Sequence, residues 1–377
     1  MKLSEEILNY IREHAKETKD LLVELAQIPA PSNHEQKRAE FCANWLKAQG
    51  ARGVFIDDAL NVVYPINCQG DGPVAVFMAH SDVVFPDTTP LPLREENGRI
   101  YCPGVGDDTA NVAALLAVAK YLTVTGYQPV GKGVLLVINS GEEGLGNLKG
   151  CRKIMADYGD RIREFISFDG KNGRCVNVAV GSNRYEIEIE TEGGHSFADF
   201  GNRNAIACMA EMICALYQIP VPKKGKTTFN VGTICGGTSV NTIAQSAKIL
   251  YEFRSDERDS LKEMENRFFR LIHEFRESGV SVSVRLVGSR PCSGNVDPEA
   301  MGNLMKRAGE MMEDCYGEPI RFDSGSTDCN LPLAQGIPSL CLGCYYGEGS
   351  HTREEYVLAD SLLPGLRLAF SLVLYHF

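Results

Sequence analysis

The sequence has no apolar run long enough to cross a lipid bilayer, for which about 20 consecutive apolar residues are needed. An apolar signal-peptide core is missing as well. The opening segment, MKLSEEILNYIREHAKETKDLLVELAQIPAPS, mixes charged and apolar residues as an amphipathic helix does. Both absences argue against a membrane partner and against secretion, so we expect a cytoplasmic protein.

Basic charge is scarce too. Among 377 residues, 38 Lys and Arg stand against 49 Asp and Glu, which gives a formal net charge of −11, and the basic residues form no cluster. Proteins that bind nucleic acid or an anionic membrane do so through a basic surface. The charge balance therefore excludes nucleic acid as an expected partner and again argues against a membrane.

Paired cysteine motifs are also lacking. The chain has 13 cysteines, an odd number spread along its length, which suits reduced thiols better than a set of disulfides. Cys341 and Cys344 have the spacing of half a zinc knuckle, but no second matched pair accompanies them. Small, buried apolar side chains are the better interpretation of these two residues.

The chain does have a regular alternation of apolar strands and helices, which is typical of an α/β domain. Residues 53–65, for example, predict a strand and residues 146–157 a helix. After residue 182 the strands alternate charged and apolar residues, in a β-α-β-β-α-β order that matches a ferredoxin-like unit. We therefore predict one domain formed by 1–182 and 294–377, with a second domain inserted at 183–293.

Acidic residues and histidines follow the apolar strands at the points where these strands end. In an open α/β sheet the carboxyl ends of the strands form the binding crevice. Each such residue alone has an ordinary explanation, as a helix cap, a plain turn or a hydrogen-bonded histidine. Together they would bury so much negative charge that a cation is required, and histidine with carboxylates forms zinc or mixed hydrolytic metal sites. The residues are His80, Asp82, Asp107, Asp108, Glu142, Glu143, Asp169 and His351.

The segment INSGEEG places Glu142 and Glu143 side by side, where each carboxylate disfavours ionisation of the other. Ser140 and Glu143 have the spacing of a helix capping box. This segment alone leaves the capping box open, but a Glu143 that binds a metal could not easily cap a helix as well, so a metal site at the strand ends would lead us to discard it. A further signal is that His80 and Asp82 would share a face of extended chain, so that Asp82 would accept the other ring N–H of His80.

Several motifs taken together make the chain resemble the M20 family of zinc peptidases and deacylases, over nearly its whole length. They are the His-x-Asp of FMAHSD, the GVGDD turn, the glutamates of NSGEEG, the Asp-Gly of SFDG, EGGHS, NVGTICGGTSVNTIAQSAKILYEFRS, SGSTD and the late His351. The resemblance implies an α/β fold, with a zinc-peptidase-like α/β/α catalytic domain and an inserted ferredoxin-like α+β dimerisation (lid) domain. It also implies a homodimer.

The resemblance assigns a role to each site residue. The metal ligands it implies are His80 and Asp169 for one ion, Glu143 and His351 for the other, and Asp107 as the bridge between them. Glu142 would be the general base, and Asp82 would support the His80 ligand. The cofactors would be two divalent metal ions, zinc with cobalt or manganese as alternatives, which share a hydroxide and polarise the substrate carbonyl.

In the inserted domain the resemblance points to His195, Asn241 and Arg254. His195 would stabilise the tetrahedral oxyanion in the active site of the other subunit. Asn241 and Arg254 would contact the substrate, with Arg254 holding its carboxylate. Relatives also tend to have a cis peptide after the bridging aspartate, which we expect here at Asp107–Asp108.

These inferences predict a dinuclear zinc-dependent hydrolase that cleaves a peptide bond of a small peptide, as an aminopeptidase, carboxypeptidase, dipeptidase or tripeptidase does. Asp169-Gly170 is similar to the peptidase T-like branch, which favours a peptidase. Two alternatives stay open: an N-acyl or N-carbamoyl amino-acid amidohydrolase with the same centre, and a catalytically silent binding or scaffold protein. A carbohydrate hydrolase is excluded. Its two carboxylates flank a sugar ring about 5–9 Å apart, and two neighbouring residues such as Glu142 and Glu143 are poorly placed to do so.

Overall fold

The computed structural model describes residues 2–377 of the chain. Its helices are α1 (Glu5–Gln27), α2 (Gln36–Ala48), α3 (Asn111–Thr125), α4 (Lys149–Tyr158), α5 (Ala205–Tyr217), α6 (Arg258–Glu277), α7 (Pro298–Tyr316), α8 (Asn330–Ala334) and α9 (Leu362–Leu374). Its strands are β1 (Phe55–Ile56), β2 (Val62–Ile66), β3 (Val74–His80), β4 (Arg94–Glu96), β5 (Arg99–Tyr101), β6 (Gly133–Asn139), β7 (Ile162–Phe168), β8 (Arg174–Ala179), β9 (Gly181–Glu190), β10 (Gly194–His195), β11 (Thr227–Gly236), β12 (Thr242–Ile243), β13 (Ser246–Ser255), β14 (Ser281–Arg290), β15 (Arg321–Gly325), β16 (Ser339–Leu342), β17 (Gly347–Glu348) and β18 (Tyr356–Leu358). Within residues 2–377, no helix combines the length and the hydropathy that a bilayer crossing requires.

The larger of two compact units runs to Ala179 and resumes at Gly294–Phe377. It is built on an eight-stranded sheet in the order β1-β2-β6-β3-β7-β16-β8-β15. The strands β6, β3, β7 and β16 are neighbours and run parallel to one another. Almost all of their residues are buried, as is usual for parallel strands that are covered on both faces.

Successive side chains of β3 enter two different cores, because side chains alternate between the two faces of a strand. Phe77 belongs to a core that includes Leu116 of α3 and Phe370 of α9. Met78 belongs to a core on the other face, which includes Ile154 of α4 and Leu333 of α8. Helices thus cover the sheet on both sides, and the predicted α/β/α architecture is confirmed.

The second unit is Val180–Ser293. Its antiparallel sheet has the order β11-β13-β9-β14, and α5 and α6 supply side chains such as Met209 and Phe268 to its core. The chain order β9-α5-β11-β13-α6-β14 is the predicted ferredoxin-like arrangement. The predicted boundary at 182/183 falls inside β9, so we place the start of the inserted domain at Val180.

Two predicted elements differ from the structure near the sheet edge. The strand predicted at 53–65 is broken into β1 and β2, because the Asp57 carboxylate accepts the N–H groups of Ala59 and Asn61, each at 2.9 Å, and so forms a turn. The helix predicted from residue 146 begins later, at Lys149. It is delayed because residues 147–148 have left-handed backbone conformations, with φ of 56° and 60°.

Candidate metal centre

Three neighbouring parallel strands end at the same edge of the larger sheet, in the order β6-β3-β7. β3 ends on His80, β7 is followed by Asp169, and β6 is followed by the glutamate pair at 142–143. The irregular turn at Val105–Ala110 carries Asp107 to the same place, against His80. The crevice expected from the sequence therefore exists at the carboxyl ends of these strands.

His80 forms the first cluster of ligand atoms. Its Nε2 atom lies 3.2 Å from Oδ1 of Asp107 and 3.8 Å from Oδ1 of Asp169. Its Nδ1 atom lies 3.0 Å from the backbone carbonyl oxygen of Asp82, which can only accept. In a neutral imidazole the proton therefore sits on Nδ1, and the Nε2 lone pair is directed at the carboxylates, as in a metal ligand.

His351 forms the second cluster, from the turn between β17 and β18. Its Nε2 atom lies 2.9 Å from Oε1 of Glu143 and 3.3 Å from Oδ2 of Asp107. The two carboxylate oxygens of Asp107 therefore face different histidines, Oδ1 towards His80 and Oδ2 towards His351. This is the arrangement that a carboxylate needs in order to bridge two cations.

The donor atoms fit divalent cations. One set includes His80, Asp107 and Asp169, a second contains Asp107, Glu143 and His351, and within each set the ligand atoms lie within 4.8 Å of one another. Nε2 of His80 and Oδ1 of Asp107 are buried without a hydrogen-bond partner. Buried polar atoms seldom remain in that condition, and imidazole nitrogen with carboxylate oxygen is a donor set of zinc.

The electrostatics of the centre favour positive charge. The hydrogen bonds of His351 with Asp107 and Glu143 raise its pKa to about 10. Burial lowers the pKa of His80, but the Asp108 and Asp107 carboxylates outweigh burial and hold it well above its usual value. For Asp107 burial acts in the other direction and raises the pKa, yet its contacts with His351 and His80 bring the pKa below its usual value. A divalent cation would satisfy the same carboxylates in place of ring protons.

The contact predicted between the Asp82 carboxylate and the His80 ring is long, since Oδ1 of Asp82 lies 3.5 Å from Nδ1, and the backbone carbonyl of Asp82, at 3.0 Å, is the nearer acceptor. β3 ends at His80, so the alternation of side chains on which the prediction rested does not extend to Asp82. The Asp82 carboxylate instead accepts the N–H groups of Glu142 and Glu143, each at 3.0 Å, and the Ser32 hydroxyl at 2.7 Å. Asp82 therefore fixes the backbone of the glutamate pair.

The discarded capping box is absent. The Ser140 hydroxyl donates to the carbonyl of Ala59, and Glu143 makes no side-chain cap of the turn at Gly144–Gly146 that follows it. Glu142 and Glu143 are instead both buried, at 5% and 8% exposure. The two carboxylates thus face the centre and are not solvated, which is the arrangement that requires a compensating cation.

Glu35 supports the same turn and was missed by sequence reasoning. Its buried carboxylate accepts the N–H of Gly141 at 3.0 Å and that of Asn33 at 2.7 Å, and it pairs with Lys149 Nζ at 2.8 Å. Glu35 and Gly141 are 106 residues apart in the chain. No periodicity or local motif could have connected them.

Asp108 lies in the same cluster as the candidate ligand His80, but both of its carboxylate oxygens already accept hydrogen bonds. Oδ2 accepts the backbone N–H of His80 at 2.9 Å, and Oδ1 accepts Nδ2 of Asn111 at 2.6 Å. Burial and the neighbouring carboxylates raise its pKa well above the usual value. We therefore regard Asp108 as a support for His80. The peptide bond at Asp107–Asp108 is cis, which confirms that expectation.

Glu355 is a further residue that the sequence did not reveal. Its buried carboxylate accepts three backbone N–H groups of the turn that carries the central aspartate, those of Gly104 at 2.7 Å, Gly106 at 3.0 Å and Asp107 at 2.7 Å. Burial, opposed by these donors, raises the pKa of Glu355 to about 7. Glu355 thus fixes the backbone position of Asp107.

We expect Glu355→Gln to weaken metal binding by about 10- to 100-fold, the usual effect of losing a partner that orients a ligand. Glutamine offers one accepting oxygen where the carboxylate now serves three N–H groups. Titration with zinc against a chromophoric chelator measures the affinity. Glu354→Gln is the matched control, because Glu354 is exposed and pairs with Arg94. Equal affinities of the Glu355 and Glu354 variants would contradict the assigned role.

Within the second unit, the structure brings His195 and Asn241 together. β10 pairs with β12, and the N–H of Ser196 donates to the carbonyl of Asn241 at 3.0 Å. His195 is exposed, and its Nδ1 atom accepts the N–H groups of Phe197 and Ala198 at 3.2 and 3.3 Å. An accepting Nδ1 places the proton of a neutral ring on Nε2, so Nε2 is the donor nitrogen of His195.

Arg254 lies on β13, where its guanidinium already has a carboxylate partner. Its Nε and Nη2 atoms lie 2.8 and 3.0 Å from the two oxygens of Glu252, and Arg184 approaches the same carboxylate at 3.3 Å. The Arg254 side chain is 36% exposed. A substrate carboxylate would therefore have to compete with Glu252 for this guanidinium.

Comparison with known proteins agrees with this geometry. The family model described as peptidase family M20/M25/M40 matches residues 76–375, a span that contains His80, Asp107, Glu143, Asp169 and His351. The chain belongs to this family. Its members are peptidases and amidohydrolases, so the protein is a hydrolase, and the alternative of a catalytically silent scaffold is set aside.

Individual relatives include enzymes of both kinds. A succinyl-diaminopimelate desuccinylase of Bordetella petrii is 28% identical over 48% of this chain and 53% of that protein. A tripeptidase of Staphylococcus aureus has a TM-score of 0.74 at 22% identity, covering 95% of this chain and 97% of that one. The dipeptidase Dug1p of Saccharomyces cerevisiae has a TM-score of 0.77 at 16% identity, with 98% of both chains covered. The shared fold includes the inserted domain.

Proposed function

We propose that the protein is a dinuclear metal-dependent hydrolase that cleaves a peptide bond of a small peptide. The observation that carries this proposal is the position of Asp107, whose two oxygens face His80 at 3.2 Å and His351 at 3.3 Å. His80 and Asp169 would hold one cation with it, and Glu143 and His351 the other. Two divalent ions, zinc with cobalt or manganese as alternatives, would supply Lewis acidity and lower the pKa of water at the centre.

Glu142 is the general base in this proposal. It is buried beside the ligand Glu143, and its backbone is held by the Asp82 carboxylate at 3.0 Å, so its carboxylate has little freedom to leave the centre. It removes a proton from the attacking water and delivers that proton to the leaving amine. Positioned proton transfer of this kind accelerates reactions by about 10²- to 10⁴-fold.

His195 supplies a hydrogen bond to the tetrahedral oxyanion. The acceptor role of its Nδ1 supports this assignment, because Nε2–H is then available as the donor. Following the family resemblance, we propose that the inserted domain dimerises the protein and that His195 acts in the centre of the partner subunit. Asn241, next to His195, and Arg254 would contact the substrate.

An N-acyl or N-carbamoyl amino-acid amidohydrolase is the second candidate. The desuccinylase relative favours it, while the structural likeness to a tripeptidase and a dipeptidase favours the peptidase. The same ligands and base would serve both reactions, because both hydrolyse an amide.

We also propose a cytoplasmic location. Thirteen free cysteines, most of them buried, suit a compartment that keeps thiols reduced.

Metal removal and substrate choice together test the proposed function. Chelation is expected to lower turnover of di- and tripeptides by at least about 100-fold, because Lewis-acid assistance is worth several kcal/mol. Addition of zinc, cobalt or manganese to the stripped protein should restore it, and incubation with chelator already saturated with zinc is the control. Cleavage confined to N-acyl or N-carbamoyl amino acids would replace the peptidase by the second candidate. Turnover that survives complete metal removal would overturn the proposal.

A further inference from the structure

A largely apolar cleft of about 490 Å³ lies directly beside the glutamate pair, entirely within the larger unit. Glu143 forms part of its lining, so the cleft borders the candidate metal centre. Ligand pockets commonly have volumes of about 300–1,000 Å³, so this space is large enough for an amino-acid side chain or a short acyl group.

The walls of the cleft come from segments that are fixed to the core. Val83 is buried, its N–H donates to the carbonyl of Ala30 at 2.9 Å, and it forms a β-bridge with Pro31, which also lines the cleft. Phe85 is buried as well. The wall at 83–85 therefore has a defined shape before any ligand arrives.

Arg353 joins this wall to the segment that carries the metal-site histidine. Its guanidinium lies 4.9 Å from the centre of the Phe85 ring and makes two bonds to the Asp87 carboxylate, at 2.9 and 2.6 Å. His351 is two residues before Arg353 in the chain. The apolar wall is thus fixed relative to the second ligand cluster.

The rim of the cleft is apolar where a protein surface is usually polar. Leu145 is 58% exposed and Val84 is 40% exposed, and both line the cleft. Among the described residues that line it, none is Lys or Arg, and His34 is the one side chain able to carry a positive charge.

We propose that this cleft is a specificity subsite that binds an uncharged, apolar side chain or acyl group next to the scissile amide. This inference rests on the proposed hydrolase function and narrows it. An apolar group removes water from the exposed Val84 and Leu145 side chains, worth about 25 cal/mol for each Å² of apolar surface buried. An acidic group, such as an aspartyl side chain or a succinyl carboxylate, would lose its hydration with no Lys or Arg of the lining to pair with.

Matched substrate pairs test the subsite. Peptides that differ only in leucine against aspartate, placed in turn on each side of the scissile bond, are compared by kcat/KM. The wild-type protein is expected to prefer leucine by at least about 10-fold at one of the two positions, within the range that pocket contacts provide. Val84→Lys is expected to shift this ratio towards aspartate by at least about 10-fold, since it adds the missing cation.

Leu145→Lys is a second, independent variant, on a different segment of the lining, and Val124→Lys is the matched control. Val124 is 62% exposed on α3 and does not line the cleft. The ratio is internal to each protein, so a general loss of activity in a variant does not alter it. The control should keep the wild-type ratio.

The outcomes separate the two proposals. If the wild-type protein cleaves amides but both rim variants keep its leucine-to-aspartate ratio, the subsite assignment is wrong and the hydrolase function stands. A wild-type preference for aspartate at both positions would also show that the subsite assignment is wrong, while the hydrolase function would stand. If the metal-loaded protein cleaves no peptide and no N-acyl amino acid, the proposed function itself fails, and the subsite with it.

Discussion

Glu142→Gln is expected to lower kcat by about 10²- to 10⁴-fold while the protein keeps its full metal content. Glutamine has nearly the shape of glutamate, and the bond from its backbone N–H to Asp82 remains. It cannot accept the proton of the attacking water or return one to the leaving amine. The variant should therefore fold, bind metal and bind substrate, and fail only in the chemical step.

Two further variants make this result specific. Glu143→Gln changes the adjacent carboxylate, which we assign as a ligand, and should lose metal as well as activity. Glu96→Gln alters an exposed carboxylate on β4 and should behave as the wild type does. Steady-state kinetics and elemental analysis on the same preparations provide both readings. A fully active Glu142→Gln protein would remove Glu142 from the mechanism.

Asp107→Ala is expected to remove both metal ions, whereas His351→Ala should remove one. Asp107 is the residue whose oxygens face both histidines, so its loss damages both clusters. Loss of His351 leaves the first cluster, with His80 and Asp169, intact. Loss of a ligand should weaken binding by more than the roughly 10- to 100-fold that loss of an orienting partner causes. Metal-to-protein ratios after dialysis measure the difference.

Asp58→Ala, a substitution of an exposed aspartate, is the matched control for both variants and should retain the wild-type ratio. Two metal ions retained by Asp107→Ala would contradict the bridging assignment. A single ion in the wild-type protein, lost equally in both variants, would replace the dinuclear centre by a mononuclear one.

The sequence could predict those site residues that lie at the carboxyl ends of strands. His80, Asp169 and the pair at 142–143 directly follow buried apolar strands, and parallel neighbours place such residues at one edge regardless of their separation in the chain. His351 was expected by the same argument, after the apolar strand near the C-terminus, but it lies farther along the chain, in the turn between β17 and β18. The alternation of apolar strands with helices predicted the α/β domain, and the element order after residue 182 predicted the ferredoxin-like unit.

The residues that hold the ligands could not be predicted. Glu35 and Glu355 bond to backbone N–H groups 106 and 248 residues away, at Gly141 and Asp107, and such contacts produce no local pattern. Asp82 shows a different failure, because the argument from extended chain was applied two residues beyond the point where β3 ends, and the backbone carbonyl of Asp82 lies nearer the His80 ring than its carboxylate does. Side-chain direction follows a simple rule only within a regular element.

The position of Glu355 near the end of the chain has a consequence for how the proposed centre would form during synthesis. The short segment 351–355 supplies the histidine of one cluster and the carboxylate that fixes the backbone of Asp107. A ribosome-bound chain that lacks this segment would have His80 and Asp169. It would lack His351, and the backbone of Asp107 would not be held by Glu355. In the proposed dinuclear centre, insertion of both metal ions would therefore follow translation of residue 355 and the folding of its segment against the turn at Val105–Ala110.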